Sequence, residues 1–231
     1  MTLHTVDLVF QVIVFLFAIS IHESAHAWMA NRRGDPTASM LGRITLNPIK
    51  HIDPIGTILL PAIAMFAHIP VLGWAKPTPV NPRNFRNPVL DDVLTSVAGP
   101  VSNFLVASAA VIFLLLISLS SQQGHRIVQT LPYAYALGLV GLGTDSALVP
   151  LSLLLYDLMI INVVLGVFNL IPVPPLDGSH VLRHCLSGSA LAVYDRLGFF
   201  GLLVLVYFGG SLLGRLIYPV LGVFNSILMS F

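Results

Sequence analysis

His22, Glu23 and His26 stand in a His-Glu-x-x-His array, in a chain that contains no other glutamate. On an α-helix, residues four apart lie on one face, so two imidazoles at this spacing can grip one metal ion. The glutamate beside the first imidazole is then within reach of a water on that metal. This is the spacing of zinc hydrolases, and the chemistry it points to is metal-assisted hydrolysis with Glu23 as general base. With eight histidines in the chain, such a spacing also arises by chance, most readily in a polar loop. Here the array lies inside an apolar run over 8–30, LVFQVIVFLFAISIHESAHAWMA. Ionisable groups are costly inside a membrane span and are by default functional there.

A catalytic zinc site needs three protein ligands and an open position. The remaining candidate is Asp177, in the run from Asn169 to Gly178, NLIPVPPLDG. Its three prolines end a helix, and Gly178 permits a sharp turn. A plain helix-exit turn is the alternative reading of this segment. Beside the histidine pair, Asp177 supplies the acid ligand that the site lacks.

The elements that must carry these residues are membrane helices. The chain is 56% hydrophobic and only 9% charged, far below the roughly 25% of soluble domains. Its net charge of +1 gives no basic signal for nucleic acid. The single cysteine, Cys185, excludes a disulfide framework and a cysteine-based zinc site. The N-terminus lacks a basic leader region and a small-residue cleavage site, so the first apolar run reads as a retained span. Spans are expected at 8–30, 93–119, 148–171 and 197–217, with a shorter helix over 218–230.

The segment 54–74 is interrupted by Pro54, Pro61 and Pro70. If it does not cross, the basic residues of 31–92 share one side and the positive-inside rule makes that side cytoplasmic. It is therefore expected to be re-entrant or shallow, covered by protein or a water cavity. The fold class is all-α integral membrane: a single polytopic domain over 1–231, about four to five spans, the re-entrant segment, and short membrane-associated extended strands. Extended stretches at 41–48 or 76–82 would receive an unwound substrate as an added strand.

Three separated motifs resemble the site-2 protease family of intramembrane zinc metalloproteases. They are His22 to His26, then Ala98-Gly99-Pro100-Val101-Ser102-Asn103, then Phe168 to Pro172 followed by Pro175-Leu176-Asp177-Gly178. Pro175-Leu176 before the aspartate is a mild departure from the Asn-Pro pair often found there. The stretches 41–48 and 73–82 resemble the compact bacterial branch, and no stretch has room for a PDZ domain. The resemblance implies one zinc per chain on His22, His26 and Asp177, with Glu23 activating water. Asn103 and Asn169 would position substrate or stabilise an oxyanion. It further implies regulated cleavage of transmembrane segments of other membrane proteins in a bacterial cytoplasmic membrane, with the site toward the cytoplasm.

Other polar residues read more plainly. Asp157 faces a bundle interior, with a structural hydrogen-bonding role favoured. Asp53-Pro54 reads as a turn. His51 and His68 flank the proline-interrupted segment. His180 and His184 have the spacing of a second metal site, but a surface helix pairing explains them more simply. Gly210 and Gly214 suit helix packing, and Arg215 an interface. Two other function classes fit part of the pattern. A metal transporter needs no glutamate beside its ligands and does need a polar pathway, which is missing beyond Asp157 and Asn162. A catalytically silent membrane chaperone would not need Glu23.

Overall fold

The computed structural model describes residues 3–59, 63, 74–137 and 146–231, with the side chains of 3–8, 58, 197 and 199 excepted. Its helices are α1 (Leu3–Arg33), α2 (Thr37–Met40), α3 (Pro88–Ser120), α4 (Gln122–Ala136), α5 (Leu148–Asn169), α6 (Gly178–Cys185), α7 (Gly188–Phe208) and α8 (Gly210–Met229). Four are long and apolar enough to cross a membrane: Val9–Arg33 within α1, then α3, α5 and α8. The bent helix α7 would make a fifth. The chain is therefore an all-helical integral membrane protein.

Local chemistry sets the helix ends. α1 closes with Asp35 N–H on Ala30 O at 2.9 Å, across Gly34 at φ +113°. That is a Schellman-type end, and the left-handed residue in it favours glycine. α3 opens on Asn87 and Pro88. Proline at a first helical position gives up only an amide that would be unpaired anyway. Asp91 Oδ2 accepts the Asn87 N–H at 2.8 Å, a variant of the capping box. The last apolar run is divided at Gly209, where a Cβ would come 2.3 Å from Leu205 O.

The chain forms two compact units. The first comprises Met1–Ala18, Asn103–Leu165 and Leu216–Phe231. Its interior holds Leu114, Leu131, Met159, Val163 and Leu228, all fully buried. Two pairs of polar groups in that interior are tied to one another. Asn103 Nδ2 donates to Asn162 Oδ1 at 2.8 Å, and Tyr156 OH to Asn225 Oδ1 at 3.0 Å. Asp157 is buried here as well. The connection 120–147 contains the amphipathic helix α4. Its buried Ile127, Val128, Leu131 and Ala134 follow helical spacing.

The second unit comprises Ile19–Ser102 and Gly166–Arg215. Here Ile171 and Leu176 pack with Leu202 and Leu205, so the proline-rich exit from α5 is seated on α7. Arg33 Nε pairs with Asp91 Oδ1 at 3.0 Å, and Arg86 N–H donates to Arg33 O at 3.3 Å.

The expected strands are absent among the described residues. Over 76–82, Pro77, Pro79 and Pro82 have no N–H to offer. The N–H of Lys76 goes to His51 O and that of Thr78 to Glu23. The carbonyls of Lys76 and Pro77 are taken by the Arg43 guanidinium. The groups flanking Thr78 are thus spent on contacts other than strand pairing. Over 41–48, Leu41, Gly42 and Arg43 turn back onto α2, and Thr45 pairs with Ser24. Most of the segment 54–74, with His68, lies outside the described residues. Its opening, Pro54–Leu59, is a π-helical turn.

Asp35 knots the loops of this unit. Fully buried, it accepts from Thr37 N–H and hydroxyl, Asn81 N–H and Asn84 Nδ2. Burial works to raise its pKa, but these hydrogen bonds prevail and hold the carboxyl below its ordinary value. A depressed pKa contributes stability that is present above the ordinary carboxylate range and is lost as pH falls through the folded value. We expect Asp35→Ala to destabilise the protein by about 2–4 kcal/mol, since buried donors lose a charged acceptor. Thermal unfolding in detergent at pH 7 checks this; an unchanged midpoint would contradict it.

Candidate metal centre

The third turn from the end of α1 presents three groups to one point. His22 and His26 lie one turn apart with ring centroids 4.7 Å apart and planes nearly perpendicular. One ligand atom each from His22, Glu23 and His26 fall within 4.8 Å of one another. His26 Nδ1 lies 2.7 Å from Thr95 O on α3. That carbonyl calls for a donor, so Nδ1 carries the proton and the Nε2 lone pair is left to bind. Metal-ligating histidines are commonly fixed in this way through the other ring nitrogen.

Asp177 reaches this point from the far end of the sequence. It occupies the N-cap position of α6, where an aspartate normally bonds to its own helix. Its side chain makes no capping bond. The carboxylate instead faces the two imidazoles, with Oδ2 3.0 Å from His22 Nε2 and Oδ1 3.4 Å from His26 Nε2.

Gly178 serves this placement through close approach. A Cβ there would come 2.1 Å from Leu170 O, so only glycine lets α6 start against the end of α5. The far end of α6 is anchored by Asp92 on α3, whose Oδ2 lies 3.1 Å from His180 Nδ1 and 2.7 Å from His184 Nε2. The two histidines expected as a surface pairing thus grip a carboxylate.

Several supporting residues carried no local motif. Ser24, inside the array, bonds to Thr45 O and accepts Thr45 N–H at 3.2 Å, docking the loop after α2 onto α1. His51 is buried in the same loop, with Nε2 2.8 Å from Thr45 O. Burial pushes its pKa down, and nearby Arg43 adds to this. Thr78 places its N–H 2.9 Å and its hydroxyl 2.8 Å from Glu23 Oε2. Of these, only Ser24, a buried hydroxyl within an apolar run, offered a signal in the sequence.

Asn169 is the last residue of α5, partly exposed in the second unit. Asn103 belongs to the first unit, where Asn162 takes its amide.

The donor set fits zinc: two imidazole nitrogens and a carboxylate oxygen converge, the ligand types of a hydrolytic site. Asp177 Oδ2 is buried with no hydrogen-bond partner, although His22 Nε2 stands nearby. Gly99 supplies the room, because a Cβ there would lie 2.4 Å from His26 Nε2 and 2.7 Å from His22 Cε1.

Comparison with known proteins agrees with this chemistry. The profile of peptidase family M50 matches residues 10–205. Two relatives bear the name "Putative zinc metalloprotease". YwhC of Bacillus subtilis (strain 168) is 37% identical over 214 residues, which cover 92% of this chain and 85% of YwhC. Rip2 of Mycolicibacterium smegmatis (strain ATCC 700084 / mc(2)155) is 27% identical over 196 residues, covering 83% of this chain and 64% of Rip2. No solved structure matches the chain.

Gly99→Ala tests the cradle. The added methyl must displace the imidazoles, so zinc affinity is expected to fall about 10–100-fold, the usual cost of disturbing ligand orientation. Competition with a chelator, alongside tryptophan fluorescence as a fold check, reads the result. Wild-type affinity in Gly99→Ala would show that the space is not needed.

Proposed function

This chain belongs to peptidase family M50, and we propose that His22, His26 and Asp177 hold its zinc while Glu23 serves as general base. It is an intramembrane zinc metalloprotease. The observation that carries the residue assignment is Asp177, which forgoes its own helix cap to face both imidazoles.

Zinc, when bound, supplies Lewis-acid activation of water and of the scissile carbonyl. Glu23 takes a proton from the attacking water and returns it to the leaving amine. Thr95 holds His26 so that one nitrogen stays unprotonated toward the metal. Helix α6, pinned at Asp92, keeps Asp177 from swinging out to solvent. The substrate is a transmembrane segment of another membrane protein, and it must unwind locally, because a helix hides its carbonyls in hydrogen bonds. Asn169 is the better placed of the two asparagines for contacting it, since Asn103 is fully buried against Asn162.

The site faces the cytoplasm of a bacterial membrane in this reading, and 54–74 does not cross. Two contacts support it: Trp74 N–H donates to Gly56 O at 3.2 Å, and Arg86 N–H to Arg33 O. A chain that leaves at Arg33 and is back at Arg86 begins and ends its excursion on one side. The basic residues between then share the cytoplasmic face.

Two experiments test the reading. Glu23→Gln is expected to keep zinc and lose peptide cleavage by about 10²–10⁴-fold, the contribution of a general base. In parallel, Asp177→Ala should strip zinc, whereas Asp157→Ala should lower folded yield and leave zinc on the protein that survives. Near-normal turnover in Glu23→Gln, or full zinc in Asp177→Ala, would sink the assignment.

For topology, single cysteines at Arg33 and Arg86 in a Cys185→Ser background should react with an impermeant thiol reagent from the same side. Labelling from opposite sides would refute the non-crossing segment.

A further inference from the structure

A general base needs one oxygen held and the other free. Glutamate carries three rotatable bonds, so an untethered carboxylate spreads over many positions and loses time at the reacting one. The carboxylate of Glu23 is not untethered. Its Oε2 accepts the Thr78 N–H at 2.9 Å and lies 2.8 Å from the Thr78 hydroxyl. Among the described residues, its Oε1 receives no hydrogen bond.

Thr78 is itself held from behind. The Arg43 guanidinium, buried in the loop after α2, donates to Lys76 O and, at 2.9 Å, to Pro77 O. It also donates to Lys50 O, and Lys76 N–H returns to His51 O at 2.8 Å. Both carbonyls immediately before Thr78 are therefore held by Nη2 of one planar guanidinium, whose Nη1 holds Lys50 O. Lysine, with a point charge, does not reproduce such a fork. Pro77 and Pro79 stiffen the backbone on either side.

We propose that Thr78, braced by Arg43, is the positioning residue that commits Oε2 of Glu23 and so assigns Oε1 as the atom that accepts and returns the proton. This rests on Glu23 being the general base. With two donors already on Oε2, a proton arriving from water has its open lone pairs on Oε1. The hydroxyl of Thr78 carries a single hydrogen, and it has two acceptors in reach: Oε2, and the Glu23 carbonyl at 3.0 Å. The charged carboxylate is the stronger acceptor. When Glu23 holds the proton on Oε1, the hydroxyl can turn to the carbonyl without leaving its place. Thr78 thus accommodates both protonation states of the base with no change of backbone.

The uniqueness of Glu23 makes this directly observable. Glutamate with an isotope label on its side-chain carboxyl carbon, introduced by cell-free synthesis into lipid nanodiscs, reports Glu23 alone. Two donors on one oxygen polarise a carboxylate and widen the separation of its antisymmetric and symmetric infrared stretches. We expect Thr78→Val, which keeps the volume and loses one donor, to narrow that separation. Thr78→Ser should restore it. Arg43→Lys, tested alone, should narrow it too, because the backbone donor loses its brace.

Zinc content and tryptophan fluorescence accompany each variant. A Thr78→Val spectrum identical to the wild type overturns the proposal, as does a Thr78→Ser spectrum that matches Thr78→Val. Wild-type bands in Arg43→Lys overturn the brace. The bands are read without any peptide cleavage, so a failure here is distinct from a failure of the protease assignment.

Discussion

The carboxylate of Asp177 stands 3.0 Å and 3.4 Å from two imidazole nitrogens at the end of a membrane helix. Removing a carboxylate from water without compensation costs several kcal/mol, so this meeting has to be supported wherever the chain can support it. The support is visible in every neighbouring element. Gly178 lets α6 begin against Leu170 O, Ile171 and Leu176 seat the preceding turn on α7, and His180 and His184 fasten α6 to Asp92. Thr95, one turn on from Asp92 on α3, fixes His26. One helix end thereby anchors α6, which carries Asp177 at its start, and orients an imidazole.

The same economy governs the loops of the second unit. Polar backbone near a membrane must find partners inside the protein. Arg43 serves three carbonyls, Asp35 gathers donors from two loops, and Ser24 joins α1 to Thr45. The consequence is a stretch around Thr78 that is tied to Arg43, His51 and Glu23. The first unit meets the same constraint by pairing asparagine with asparagine and tyrosine with asparagine across its helices. The long apolar faces that remain, as on α8 with Leu212, Leu216 and Val223, suit contact with lipid.

Much was legible in the sequence because the governing signals are local. The histidine pair and its glutamate lie within one helical turn, and helical periodicity is a property of neighbouring residues. Three long spans, Val9–Arg33, α3 and α5, lie on apolar runs that outlast the hydrocarbon thickness, whereas the last run, expected as a span over 197–217 and a short helix over 218–230, is divided instead at Gly209. Asp177 could be put forward as a candidate beside the histidine pair, since cysteine ligands were excluded, and the structure brings it to both imidazoles. Even α4 was there to be read, in the spacing of Ile127, Leu131 and Ala134.

Only the tertiary structure decided how the site is braced. Nothing adjacent to Thr78 announces that its amide and hydroxyl belong to a glutamate 55 residues earlier. Nor does the sequence near Gly99 say that its missing side chain leaves room for His22 and His26. The 76–82 stretch looked like an open strand because its composition is extended. Whether an extended segment pairs depends on where its hydrogen-bonding groups go, and that is settled by Arg43, His51 and Glu23 from other parts of the chain. Residue types and short spacings specify which chemistry is available; contacts between distant residues, which no local pattern encodes, determine which atom performs it.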